Sequence, residues 1–102
     1  MLIVIGEVKV ESAAEVEKAR DAIATMMAAS NAEEGCILYA FSQDLADPTL
    51  IRITEKWKDQ EALTAHFNAP HMAEFMGAMA SAKIVSMDTK LYDASGERPV
   101  RG

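Results

Sequence analysis

Four residues in one stretch of the sequence carry groups that could do chemistry: Glu55, Trp57, His66 and His71. The chain has one tryptophan and two histidines, and all three fall between Ile51 and Met79. A histidine titrates near pH ~6.5, so it can take or give a proton at neutral pH. His66 follows Leu63 by about one helical turn, which sets it near an apolar face within reach of Glu55 or Trp57. Glu55 alternates with Ile51, Ile53 and Trp57 on one strand face. An unpaired charge on that face costs free energy. Glu55 therefore pairs with a cation or histidine, accepts a hydrogen bond from a neighbouring element, or stays protonated and serves in proton transfer. His66 and Glu55 are the candidate catalytic residues. Trp57, His71, Met72 and Met76 are the candidate substrate-binding residues. Trp57 offers a ring for stacking, and the methionines offer an adaptable apolar wall. Each has a plainer role as well. Trp57 can anchor strand to helix, His66 can satisfy carbonyls at a helix break, His71 can sit at a rim, and the methionines can fill core.

Other chemistries find no support. His66 and His71 are five residues apart across Pro70, with no third ligand in the pattern, so no metal site is expected. Cys36 is the single cysteine and can form no disulfide within the chain. No glycine-rich phosphate loop or Ser-His-Asp pattern is present, and no cofactor is expected. The net charge of -6 argues against nucleic acid and anionic membrane surfaces as partners. No apolar run approaches the ~20 residues of a membrane span. Met1 to Glu7 lacks the basic start of a signal peptide, so a cytoplasmic location is expected.

The elements that must position these residues can be read from hydrophobic period. Leu2 to Val10 is rich in Val and Ile and reads as a strand, with Gly6 marking a bulge or close contact. Ser12-Ala13-Ala14-Glu15 matches a capping box. The helix behind it carries Val16, Ala19, Ile23, Met26 and Met27 on one side and ends near Ser30-Asn31. Glu33-Glu34-Gly35 turns into a strand from Cys36 to Gln43. Asp47-Pro48 turns into a strand from Ile51 to Trp57, so these two strands form a hairpin. At Lys58-Asp59 the period changes from two to helical, with Asp59 as N-cap. Pro70 cannot continue that helix but suits the first turn of another, so a break at Asn68-Ala69 is expected. A last strand runs from about Lys83 to Leu91 or Tyr92. Residues 1–93 form one domain, followed by an aperiodic tail over 94–102.

Strand, helix, strand, strand, helix, strand is an α+β order, the ferredoxin-like split βαβ plan with an antiparallel sheet. Its helices cover one sheet face. Apolar residues occupy both faces of the strands, which predicts a homodimer through the uncovered face, with Tyr39 and Phe41 at the seam.

The motifs also carry a resemblance. Glu34-Gly35-Cys36-Ile37-Leu38-Tyr39, Asp44 and Asp47-Pro48 are followed by Glu55-x-Trp57-x-Asp59-x-x-Ala62-Leu63-x-Ala65-His66 and Pro70-His71-Met72. This set resembles the antibiotic biosynthesis monooxygenases of the dimeric α+β barrel superfamily. The resemblance spans nearly the whole chain and implies a homodimer whose sheets pack together. It also implies a pocket between sheet and helices for a small aromatic or quinol-like ligand. Characterised oxygenases of the group oxidise quinols or anthrone-like phenols with molecular oxygen, without metal or organic cofactor. Other members are isomerases or degrade haem. The haem-degrading members use an asparagine on the first strand, and Leu2 to Val10 has none, so haem degradation is not expected.

Overall fold

The computed structural model describes residues 1–102. Its elements are β1 (Leu2–Val10), α1 (Ala13–Asn31), β2 (Cys36–Gln43), β3 (Leu50–Trp57), α2 (Gln60–Phe67), α3 (Pro70–Ala78) and β4 (Ile84–Asp93). The four strands form one antiparallel sheet in the order β2-β3-β1-β4. This is the ferredoxin-like α+β plan, with the second helix split in two. The split follows from local chemistry. The Asp59 side chain accepts the Ala62 amide at 2.9 Å and starts α2. Pro70, which has no amide to donate, opens α3. None of the helices is long and apolar enough to cross a membrane.

One expected cap does not form. Ser12 makes no side-chain bond to α1, and the Glu15 carboxylate does not reach back to it. Instead Glu15 accepts Lys18 Nζ at 2.9 Å and the Lys83 amide at 3.1 Å. The ammonium adds an ionised donor that the N-cap amide does not offer, and the bond to it is the stronger for that. Glu15 thereby ties the start of α1 to the entry of β4.

The register decides which residues face the helices. Trp57, Glu55, Ile53 and Ile51 stand opposite Leu2, Val4, Gly6 and Val8 of β1. On the other side Tyr39 stands opposite Glu55, and Phe41 opposite Ile53. Tyr39 and Phe41 therefore point at the helices, not at the outer face where a seam was expected. Tyr39 is buried, and Phe41 packs its ring edge-on against Phe75 of α3. A register shift between Cys36 and Leu38 also brings Cys36 to the helix side. Two bonds lock this edge of the sheet to the end of α1. The Asn31 amide nitrogen donates to the Tyr39 carbonyl at 2.8 Å, and the Tyr39 amide donates to Asn31 Oδ1 at 3.0 Å.

Two glycines serve close approaches. Gly35 has φ +86°, and a Cβ there would lie 2.6 Å from the Ala62 Cβ. It lets the α1–β2 turn sit against α2. A Cβ at Gly6 would lie 2.6 Å from Thr89 Cγ2, so Gly6 marks close contact with β4, while the register shift of β1 lies at Lys9/Val10.

The core divides into two clusters along the sheet. One gathers Val8, Val10, Val16, Ala19, Ile23, Ile51 and Ile53; the other gathers Leu2, Met26, Tyr39, Trp57, Ala62 and Leu63. Every residue of β4 is exposed. Its Met87 and Leu91 share the helix-side face with Val8 and Val4 and are only partly covered there. Residues 94–102 form no helix or strand, and Glu97 of this segment pairs with Lys56 at 3.2 Å.

Candidate functional site

The candidate chemical residues gather at the second cluster. Trp57 ends β3 with 0% of its surface exposed. Its indole Nε1–H donates to Glu55 Oε1 at 2.9 Å. A buried indole wants an acceptor for its one polar atom, and the carboxylate two residues back on the same strand face supplies it. Burial pushes the Glu55 carboxyl above the ordinary glutamate range, and the Trp57 bond offsets part of that rise.

His66 comes from the last turn of α2 and is 1% exposed. Its ring lies 4.6 Å from the Trp57 ring and 5.2 Å from the Tyr39 ring, centroid to centroid. The expected neighbour Trp57 is thus in contact. The polar partner is a residue that sequence reasoning treated only as part of a turn. Glu33 Oε2 lies 2.6 Å from His66 Nδ1 and 2.7 Å from His71 Nε2, so one carboxylate oxygen holds both imidazoles. Three elements meet there: the α1–β2 turn, the last turn of α2 and the first turn of α3. Nothing in the spacing marks Glu33, because its partners lie 33 and 38 residues on. The one legible signal is Gly35 beside it, whose positive φ bends the turn toward α2.

The remaining buried groups here are quiet. Burial pushes the Cys36 thiol up to about 11 and lifts the Tyr39 phenol still further. Neither ionises near neutral pH.

The other end of the interface is hollow. Between α1, α3 and the sheet lies a cavity of about 220 Å³, and 14 of its 15 lining residues are hydrophobic. Phe41, Ile53, Phe75, Met76 and Met79 form part of its wall. Trp57 and His66 do not line it, because Tyr39, Ala62 and Leu63 pack the space around them. The predicted residues therefore divide. Trp57, Glu55, His66 and His71 come together with Glu33, and Met72 packs against their cluster. Met76, largely exposed, stands at the cavity instead.

Comparison with known proteins places this architecture. A family model described as antibiotic biosynthesis monooxygenase matches residues 1–78. The chain belongs to the antibiotic biosynthesis monooxygenase family. The crystal structure of a candidate antibiotic biosynthesis monooxygenase from Deinococcus radiodurans superposes with a TM-score of 0.87 at 26% identity, covering 100% of each chain. Another such candidate, from Nitrosomonas europaea, has a TM-score of 0.83 at 19% identity and covers 94% of this chain and 100% of its own, a likeness of fold. An uncharacterised Synechocystis protein is 29% identical over 94 residues, which are 89% of this chain and 61% of that protein. The chain thus spans about three fifths of that relative's length. Membership of the antibiotic biosynthesis monooxygenase family establishes the fold and the monooxygenase-type lineage; the substrate is a separate matter.

Proposed function

We propose that the protein oxidises a one- or two-ring quinol or phenol with molecular oxygen, bound in the apolar cavity between α1, α3 and the sheet. The observation that carries this reading is the cavity's lining, apolar at 14 of 15 positions. Its volume of about 220 Å³ falls below the ~300–1,000 Å³ typical of drug-sized ligands, which favours a small flat ring system over a polycyclic one.

In this reading Glu55 accepts the substrate's proton. Burial raises its proton affinity, and the Trp57 indole holds one of its oxygens. It does not line the cavity but stands one pleat along the strand from Ile53 in its wall, about 7 Å at 3.3–3.4 Å per residue, so the proton reaches it through a substrate hydroxyl directed along the strand or through one bridging water. The deprotonated substrate is electron-rich and passes electrons to oxygen. One oxygen atom enters the product, the other leaves as water, and the substrate supplies all four electrons. His66, engaged by Glu33, backs the indole and keeps it in register. Met76 covers the ligand at the cavity's edge.

Oxygen uptake with menadiol-like and anthrone-like substrates tests the reading. Uptake above autoxidation is expected, best with the smaller rings. Glu55→Gln is expected to lower turnover by about 10²-fold, the usual scale for a lost general base. A comparable loss in His66→Ala with Glu55→Gln unchanged would move the proton-accepting role to His66. No uptake with any substrate would favour isomerisation of a small carbonyl compound, or ligand binding alone.

The same reading includes a homodimer through the sheet face away from the helices. It rests on Ile5, Leu38 and Tyr92, all exposed there. Sedimentation showing a stable monomer at micromolar concentration would defeat it.

A further inference from the structure

We infer that Glu33, His66 and His71 form a binding site for one first-row divalent metal ion of the zinc, iron(II) or manganese(II) class. The ligating atoms of these three residues all lie within 4.8 Å of one another. They converge from three separate elements, so the fold and not one helix's spacing sets their geometry. Two imidazole nitrogens and a carboxylate are a donor set that zinc and non-haem iron take up, with the remaining positions left to water. The set is too nitrogen-rich for calcium or magnesium and has no thiolate for copper(I).

The surroundings suit an ion. His66 is 1% exposed, and the Glu33 and His71 side chains are 14% and 19% exposed, so the donors are held by packing and shielded from bulk water. His71 also lines a groove of about 270 Å³ between α1 and α3, together with Asp21 and Glu74. That groove gives an entry path with two further carboxylates along it, on a chain of net charge -6. Binding an ion requires the donors to adjust. The carboxylate oxygen now sits at hydrogen-bond distance, 2.6 and 2.7 Å, from the two nitrogens. A tetrahedral ion with bonds of about 2.0–2.1 Å spaces its donors by about 3.3 Å, so the carboxylate must retreat by roughly 0.7 Å and the two nitrogens, now within 4.8 Å of each other, must close to the same spacing. Glu33 lies in the turn between α1 and β2, outside any helix, so its backbone is not fixed by a helical hydrogen-bond ladder.

The site stands apart from the apolar cavity, so this inference does not rest on the proposed oxidation. It makes an atom-specific prediction. The metal takes His66 through Nδ1 and His71 through Nε2, leaving the proton of each ring on the opposite nitrogen. The chain has only these two imidazoles, so the spectrum of His71→Ala assigns both NMR signals.

The test uses the full chain without a histidine tag, stripped with chelator and titrated with cobalt(II), then zinc. One equivalent of cobalt should bind with micromolar or tighter affinity and be displaced by zinc. In long-range proton–nitrogen spectra zinc should lock the two rings in the opposite tautomers just named. Losing a mere supporting group costs ~10–100-fold in metal affinity, so Glu33→Gln and His71→Ala should each weaken binding by about 100-fold or more. Three results would overturn the site: no saturable binding below about 100 µM, the weak end of protein cation sites; binding unchanged in both variants; or bound zinc with unmoved imidazole signals. If Glu33→Gln fails to fold, His71→Ala and the wild-type tautomer spectrum decide the matter alone.

Discussion

The two ends of the helix–sheet interface are built on opposite principles. At the Trp57 end the space is filled, and the filling includes polar groups: an indole bonded to Glu55, and an imidazole bonded to Glu33. At the Met79 end the residues are apolar, and the space between them is left open. Polar groups withdrawn from water must be held at bonding distance, so the filled end is rigid by necessity. An apolar wall asks for no partner and can stand around a void large enough for a ligand. One region can thus fix chemical groups in place while the other receives a small molecule.

The largest test of this contrast is stability. Trp57→Ala removes a ring with no exposed surface and orphans the Glu55 carboxylate. A loss of about 3–5 kcal/mol is expected. Met79→Ala borders space that is already empty, and a loss of about 2 kcal/mol or less is expected. Urea denaturation measures both. Equal losses would mean that the two ends are packed alike.

The pH dependence of Glu55 sharpens the contrast further. Its folded pKa is raised, so the stability it contributes is fully present below its unfolded value near ~4.3 and is lost as pH rises through the folded value. Glu55→Gln, which keeps an acceptor for the indole, should therefore be more stable than the wild type at pH 7. The gap should close as the pH falls toward 4. Asp47, in the turn between β2 and β3, runs the other way. Lys9 and Thr49 hold its carboxyl down at about 2, so its contribution is present above ~3.9 and is lost as pH falls through about 2. Asp47→Asn should be destabilising at pH 7 and neutral near pH 2. Thermal melts across pH would show the two slopes, and a shared sign would contradict the burial of Glu55.

The smallest expected effect is at the cavity edge. Met76→Gln should leave stability within about 0.5 kcal/mol, since the side chain is mostly exposed. The same change should weaken the binding of an apolar fluorescent dye. A dye affinity that does not change would place the ligand elsewhere.

Much of this architecture was legible residue by residue. The change of period at Asp59 and the proline at 70 located α2 and α3, because capping and the missing proline amide act within a few residues. The shared face of Glu55 and Trp57 was legible too, since alternation along a strand is local. The orientation of Tyr39 and Phe41 was not. Alternation shows that they lie together, but only the pairing of β2 with β3 and the Asn31 clasp show on which side. Glu15 misled for a related reason: the motif is local, but its carboxylate found Lys83 at the far end of the chain.

The sequence by itself therefore determined the element order, the family and the residue types available for chemistry, since these follow from period, caps and motif. Only the tertiary structure decided which of those residues meet. It drew Glu33 from a turn to two histidines more than 30 residues away. It also set the apolar cavity at the opposite end from the tryptophan. The reason is that long-range contacts depend on register and packing, and these are properties of the assembled layers that no stretch of the chain carries alone.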